Sequence, residues 1–428
     1  MENPRSLALS ILNKCVSVEQ YSNLALDTAI RRHPLSDADR GLLTTLVYGV
    51  LEKQLTLDHW IGSLCEKQAP DLPTRNLLRL GLYQLAFLDR IPDHAAVNET
   101  VSLAPKRSRG FVNAVLRAFL RLQKQIPLPD GEKDPVSYLS VRYSFSPAIC
   151  ERFLRVFGRE RTESLLEAFC HQPPVTLRVN TLRTDRDALI ASLKAAGAQA
   201  SPTPESDNGI LASRLPVTAM PGFEEGLFFV QDEASQLCVE ALDAQEGMTL
   251  IDVCACPGSK SFGAAIDMND TGRVLSCDLH ANKLTLVTSG AERLGIGVIE
   301  TFARDSGTFE PLWEGIADRV LCDVPCSGLG VFAKKPELRY KDPKQSERLP
   351  AVQRRILEAS CRYVREGGLL VYSTCTLLPE ENEENVSAFL RDHGEFFLLR
   401  QRTLYPDTDG TDGFYFAVLQ KNTKDAPV

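Results

Sequence analysis

From about residue 226 onward, short apolar runs alternate with stretches of helical periodicity, and few folds accept that pattern. Seven runs read as strands: Met248–Cys254, Arg273–Asp278, Val298–Phe302, Arg319–Val324, Gly368–Thr374, Phe396–Leu399 and Phe414–Leu419. Strands separated by helices build βαβ units, so the expected fold here is a doubly wound, mostly parallel sheet. Ligands on such sheets bind beyond the carboxyl ends of the strands, and the residues that follow each strand become the candidate site.

After the first run comes Asp252-Val-Cys254-Ala255-Cys256-Pro257-Gly258-Ser259-Lys260-Ser261. An acid ends the strand, and a turn of small residues lets a ligand approach the backbone amides at the start of the next helix. Neither the GxGxxG dinucleotide pattern nor the GxxxxGK[ST] phosphate loop is present, which counts against hydride transfer and NTP hydrolysis. The second run ends at Asp278, where a carboxylate can accept from two ribose hydroxyls, and the third leads to Asp305, which could accept from an adenine amine. Acids at three successive strand ends suit a cofactor that contains a nucleoside. The next two runs end in Asp323-Val-Pro-Cys326-Ser-Gly328-Leu-Gly330 and in Ser373-Thr-Cys375, which brings two thiols to neighbouring strand ends. A lone cysteine is ordinarily a small buried residue; a carboxylate or hydroxyls beside each of these favours chemistry. Cys254, Cys256, Cys322, Cys326 and Cys375 fit no structural zinc spacing and have no histidine with them, so no metal is expected.

The first 126 residues read as consecutive helices, with apolar positions at Leu7, Ile11, Leu12 and Cys15 and again at Leu42, Leu43, Leu46, Val47 and Val50. Ser36-Asp37-Ala38-Asp39 offers a helix start. Pro127, Pro129, Asp130 and Gly131 then mark a linker over 127–140, and 141–225 reads as a small α+β module with a helix at Ala148–Cys170, a strand at Val175–Val179 and a helix at Asp185–Ala196. The 226–428 domain completes the chain. Twelve cysteines in 428 residues make no disulfide framework, so reduced thiols and a cytoplasmic protein are expected. Met1–Arg5 lacks a basic leader start, and no run of 18 apolar residues occurs, which argues against a membrane partner. A net charge of -8 excludes a uniformly basic coat but permits local basic grooves. Val101–Lys124 carries six basic residues and no acid, among them Lys106, Arg107 and Arg109; Lys334–Arg355 carries eight basic and three acidic residues. Lys334, Lys335, Arg339 and Lys341 directly follow the Asp323–Gly330 loop and are expected to meet phosphates. The charged faces at Arg348, Arg354 and Arg355 divide evenly between solvated and binding roles. The acids Glu380, Glu381, Glu383 and Glu384 suit the start of a helix.

These residues resemble the S-adenosylmethionine-dependent RNA cytosine-C5 methyltransferases of the Sun/Fmu type, and the resemblance covers nearly the whole chain. Asp252–Lys260 is similar to that family's DxCAAPGGK turn, Asp323–Gly328 to its DxPCSG loop, and Ser373–Cys375 to its STC segment. Pro174–Thr181 and Gln231–Gln236 resemble its RNA-contacting module and the entry to its catalytic domain, and Asp412–Phe416 its closing DGFF strand. The N-terminal helices, with Phe111–Arg117, are similar to the NusB-like domain of the branch that methylates small-subunit (16S) ribosomal RNA. The resemblance implies three parts: an all-α NusB-like bundle, a small α+β RNA-binding module and a Rossmann-like α/β methyltransferase domain. Cys256, Ser259 and Ser261 depart from the family's Ala, Gly and Thr. Ser259 matters most for cofactor affinity, since a serine takes positive φ less cheaply than glycine.

By resemblance, Cys375 attacks C6 of cytosine, Cys326 assists release and Asp323 holds the base, while Cys254–Lys260, Asp278, Asp305 and Asp323 line the S-adenosyl-L-methionine site. The implied partner is small-subunit ribosomal RNA, free or in a pre-ribosomal particle, acted on by a monomer; DNA is not expected. Two rivals stay open. A DNA cytosine-C5 methyltransferase would use Cys326 as its nucleophile, but the FxGxG turn is absent. A non-catalytic RNA-binding or transcription-associated protein would have let the site drift.

Overall fold

The computed structural model describes residues 3–18, 22–65, 69–172 and 174–423. Met1 and Glu2 of the segment read for a leader, and the side chain of Cys15, lie outside the described residues. The chain forms two compact units, one of residues 1–170 with 334–343 and one of residues 171–333 with 344–428.

The first unit is helical: α1 (Pro4–Val18), α2 (Ser22–Arg32), α3 (Asp37–Glu52), α4 (Gln54–Leu64), α5 (Leu72–Phe87), α6 (Asp93–Leu103), α7 (Arg109–Arg121), α8 (Pro135–Tyr143) and α9 (Pro147–Ala168). The apolar stripes of the first seven meet in one core that contains Leu12, Leu43, Leu46, Val47, Leu78, Leu116 and Phe119. Ser36 caps α3 by accepting from Asp39 N at 3.2 Å, as its position in the sequence suggests. The second half of the expected linker is helical instead. Asp134 accepts from Ser137 N at 2.9 Å and Pro135 occupies the first turn, where its missing N–H costs nothing, so α8 starts there. Helix α9 is broken at Gly158, whose φ of 72° no helix allows.

In the second unit, β1 (Val175–Val179), β2 (Gln199–Pro202), β3 (Gly209–Ser213) and β4 (Phe228–Val230) make an antiparallel sheet of order β2-β3-β1-β4. Helix α10 (Arg186–Ala195), capped by Asp185, packs Leu189, Ile190 and Leu193 into the same core as Leu177, Val179 and Ile210. This is the small α+β module. Its join to the rest is apolar at Phe229, whose ring centre lies 5.9 Å from that of Phe262, and polar elsewhere: fully buried Arg178 pairs with Asp267 at 2.6 Å, and Asn180 donates to the carbonyls of Gly226 and Leu294, both at 2.9 Å. Gln231 donates to Ser259 O at 3.1 Å and Gln236 to Leu177 O at 3.2 Å. The Pro174–Thr181 and Gln231–Gln236 segments, expected at an RNA surface and a domain entry, therefore spend these side chains on holding the module to the catalytic sheet.

That sheet has seven strands: β5 (Thr249–Asp252), β6 (Arg273–Asp278), β7 (Ile299–Ala303), β8 (Ala317–Asp323), β9 (Val364–Thr374), β10 (Phe396–Leu404) and β11 (Phe414–Lys421), in the order β10-β11-β9-β8-β5-β6-β7. Strands β5 to β9 pair in parallel, and β11 lies antiparallel to both β9 and β10. Neighbouring residues such as Leu250 and Ile251, Val274 and Leu275, or Leu321 and Val320 enter opposite cores, as strand geometry requires. One face is covered by α11 (Glu233–Glu240), α12 (Ser259–Asp267) and α13 (Ala281–Leu294), the other by α14 (Leu349–Ser360) and α15 (Glu383–Asp392). The chain runs outward from β5 to β7 and then returns to place β8 on the other side of β5. That reversal opens a crevice beyond the ends of β5 and β8.

Candidate active site

Three turns meet at this crevice. The turn after β5 carries Cys254–Lys260, the turn after β8 carries Pro325–Gly330, and the turn after β9 carries Cys375. The parallel register of β8 and β9 places Asp323 beside Ser373, and the Ser373 hydroxyl donates to Asp323 Oδ1 at 2.8 Å. Lys260, in the first turn of α12, brings its Nζ to 2.7 Å from Asp323 Oδ2 and 5.2 Å from the centre of the Phe414 ring. Burial works against a charged amine, but the Asp323 carboxylate prevails and holds Lys260 protonated, its pKa above the ordinary range.

The two thiols are neighbours. Sγ of Cys326 lies 3.1 Å from Sγ of Cys375, and Cys375 N donates to Cys326 Sγ at 3.3 Å. The Lys260 ammonium interacts electrostatically with Cys375. The Cys326 thiol is pushed well up by its hydrogen bond with Cys375, by burial and by the charge of Glu381. Burial likewise raises Cys322 and Cys256, each to about 12, and pushes Cys254 well up, so these remain neutral thiols. Among the described residues no group of three or more His, Cys, Asp or Glu could hold a metal ion.

Backbone packing fixes the height of Cys375. Gly330 N donates to Cys375 O at 3.0 Å, and Gly413 N donates to Gly330 O at 2.8 Å. A Cβ on Gly330 would stand 2.0 Å from Gly413 O and 2.9 Å from Cys375 O, so only glycine permits this approach. Reading the strand ends alone does not single out this pair, although Gly330 and Gly413 both lie inside the quoted motifs.

The turn after β5 depends on glycine at one position. Gly258 has φ 115°, and a side chain there would meet the Phe262 ring at 2.5 Å. Ser259 begins α12 and is not among the positive-φ residues, so the strain anticipated for it does not arise; Gly258 takes that conformation instead. Asp252 is almost fully buried, accepts from the Ser261 hydroxyl at 2.7 Å and from Cys254 N at 3.3 Å, and is raised to about 7 by burial and by the nearby Asp323. Asp278 accepts from His280 N at 2.9 Å and borders Cys256. Asp305 pairs with Arg355 at 3.2 Å, beside a cavity of about 400 Å³ lined by Phe302, Arg304 and Trp313.

The expected phosphate contacts divide. Lys334 and Lys335 are exposed and Lys341 is half-buried, all three in the segment that belongs to the helical unit. Arg339 must be withdrawn. It is 1% exposed, donates to Phe169 O at 2.6 Å and Glu52 O at 3.1 Å, and lies 4.8 Å from the Phe145 ring centre, out of reach of phosphate. Lys106, Arg107 and Arg109 are all exposed, and Arg109 also donates its Nε to Ala104 O at 3.0 Å.

Residues 239–420 match the family described as 16S rRNA methyltransferase RsmB/F, residues 2–121 the NusB family, and residues 149–218 the ferredoxin-like domain of RsmF/B-like methyltransferases. The probable ribosomal RNA small subunit methyltransferase B of Bacillus subtilis is 35% identical over 97% of this chain and 98% of its own. The chain belongs to the 16S rRNA methyltransferase RsmB/F family. The ribosomal RNA small subunit methyltransferase B of Pseudomonas putida is 36% identical over 98% of each chain. A solved methyltransferase homologue from Pyrococcus horikoshii is 28% identical with a TM-score of 0.60, covering 67% of this chain and 99% of its own. Membership makes the chain an S-adenosyl-L-methionine-dependent rRNA methyltransferase and removes the reading as a non-catalytic binding protein. The resemblance and the three-part fold expected from the sequence both hold.

Proposed function

We propose that this methyltransferase acts on C5 of a cytosine in small-subunit rRNA through a covalent bond between Cys375 and C6. The observation that carries this reading is the Cys326–Cys375 pair, set 3.1 Å apart, with the Lys260 ammonium interacting with Cys375. C5 of cytosine is a weak nucleophile, and a thiolate added at C6 converts the ring to an enamine with electron density on C5. Bound S-adenosyl-L-methionine supplies the methyl group, and Cys254–Lys260, Asp278 and Asp305 are the residues that would hold it. An ordinary thiol is only a few per cent ionised at neutral pH, so Cys375 depends on the Lys260 ammonium for its charge. Asp323, ordered by Lys260 and Ser373, faces the edge of the base and stabilises the ring as charge builds on it. After transfer the C5 proton leaves to a base, the C5–C6 double bond re-forms, and the Cys375–C6 bond breaks. Cys326, in contact with Cys375, assists that exit.

The base must leave its stack before a thiol can reach C6, so the enzyme needs a grip on RNA. Lys106, Arg107, Arg109, Lys334, Lys335 and Lys341 supply it. The substrate is small-subunit rRNA, free or within a pre-ribosomal particle, met by a monomer in the cytoplasm. The test is incubation with labelled S-adenosyl-L-methionine and unmodified 16S rRNA, followed by mapping of the label. Label at C5 of one cytosine is expected. Cys375→Ala abolishes it, and Cys326→Ala accumulates a covalent protein–RNA adduct. An adduct formed by Cys375→Ala would instead make Cys326 the nucleophile, as in the DNA-type arrangement.

A further inference from the structure

Behind the two thiols lies a buried polar network that the mechanism above leaves without a role. It joins Gln353 of α14, Tyr372 of β9, Glu381 in the turn that follows Cys375, and Asn385 of α15. Glu381 is 1% exposed, and Gln353 and Tyr372 are fully buried. Glu381 Oε2 accepts from Ser327 N at 2.9 Å and from Gln353 Nε2 at 2.8 Å; the same Gln353 amide donates to Pro325 O at 3.0 Å. The residues before and after Cys326 are thus both held by one carboxylate–amide pair. Tyr372 donates to Glu381 O at 2.6 Å, and Asn385 donates to Tyr372 and Gln353, which fixes the pair in turn. The grip extends to the second thiol. Ser327 Oγ donates to Thr376 Oγ1 at 2.8 Å, and Asn382 bridges Thr374 and Thr376, the two neighbours of Cys375.

A carboxyl group buried this deeply is normally offset by a cation. Glu381 forms no ion pair with a described Lys, Arg or His, and its Oε1 meets no hydrogen-bond donor among the described residues. Such a group is costly to a fold that gains nothing from it. We infer that Glu381 is a positioning residue for methyl transfer: it grips the Pro325–Ser327 turn so that Cys326 stays against Cys375 with its side chain as the proton-bearing partner. This rests on the two-thiol reading given above. Two adjacent thiols that share a proton have two arrangements, and Lys260 and Glu381 select the same one, thiolate on Cys375 and thiol on Cys326. No net proton is gained or lost in that selection. The run of acids from Glu380 to Glu384 conceals this role in the sequence, because the neighbouring acids do suit a helix start.

Alkylation of the full-length protein by iodoacetamide, with Cys326 and Cys375 followed separately by peptide mass spectrometry, tests the inference without RNA or cofactor. In the wild type Cys375 reacts faster. In Glu381→Gln the Cys375:Cys326 rate ratio should fall about tenfold, the equivalent of one pKa unit, and kcat should fall while KM for RNA stays within about twofold. A lower kcat with a wild-type ratio would reduce Glu381 to a packing residue and overturn the inference. Should the Gln variant fail to fold, Glu381→Asp carries the test: its shorter carboxylate releases Ser327 N, so the ratio must drop there too, and a wild-type ratio with wild-type kcat overturns it. The ratio is independent of the substrate. A collapsed ratio in an enzyme that methylates another base would keep Glu381 in this role while removing the cytosine assignment.

Discussion

Replacing Asp252 by Asn tests whether the crevice holds a protonated carboxyl at its floor. Asp252 is 1% exposed, and burial together with Asp323 raises it to about 7. In the unfolded chain the same group titrates near 3.9. Between these values the folded state binds more protons than the unfolded state, so stability falls as pH rises. The loss is fully present once pH exceeds the folded value. Integrating from the unfolded to the folded value gives a cost of about 1.5 kcal/mol at pH 5 and about 4 kcal/mol at pH 8. The Asn variant has no such titration, and whatever its altered hydrogen bonds to Ser261 and Cys254 cost is the same at both pH values. The wild-type stability relative to Asp252→Asn should therefore drop by about 2.5 kcal/mol from pH 5 to pH 8. Urea unfolding followed by fluorescence reads it. Trp313 packs on Phe302 and Tyr363 in the catalytic unit, and Trp60 lies in the helical unit, so a Trp60→Phe background isolates the relevant transition. A pH-independent difference between the two proteins would refute the reasoning and mean that Asp252 is ionised throughout.

Gly330→Ala forces a methyl group against the carbonyls of Gly413 and Cys375; it should cost about 1–3 kcal/mol and reduce methylation beyond what the melting temperature explains, because the shift moves Cys375. Arg339→Ala leaves two helix-end carbonyls without their donor and should destabilise the helical unit by about 3 kcal/mol, read by Trp60 fluorescence; Arg339→Lys recovers only part, since an ammonium lacks the planar fork. Changing Lys334, Lys335 and Lys341 together to Glu should weaken RNA binding and lower the slope of log affinity against log salt by about 2, measured by titration from low to high salt. An unchanged slope would return the three lysines to the solvated surface.

The catalytic sheet was legible because its two faces impose a period of two on strands and its crossovers impose helical periods between them. The seven runs identified in the sequence correspond to β5–β11, although β9 begins four residues before its run, at Val364, and β10 continues five residues past its run, to Leu404. What periodicity could not show was pairing. The antiparallel insertion of β11 between β9 and β10 depends on contacts between residues far apart in the chain, and the short β2, β3 and β4 are too brief to display a period at all. The return of 334–343 to the helical unit is likewise a long-range event, which is why Arg339 read as a surface base beside lysines when its guanidinium is in fact consumed by Glu52 and Phe169.

The site divides along the same line. Of the proposed site, Asp323, Cys326, Cys375 and the glycine turn are visible because a reaction at strand ends needs reactive groups at strand ends, and the order of the chain places them there. Gln353, Glu381 and Asn385 are invisible by the same reasoning, since each acts through a neighbour and none stands at a strand end. A thiol pair in which one member must be charged and the other neutral cannot be specified by the two cysteines, which are chemically identical. The difference has to come from outside them, and the proposal assigns it to Lys260, which interacts with Cys375, and to Glu381, which grips the turn of Cys326. An enzyme with both cysteines intact but either charge removed should therefore lose its preference between the thiols before it loses its fold.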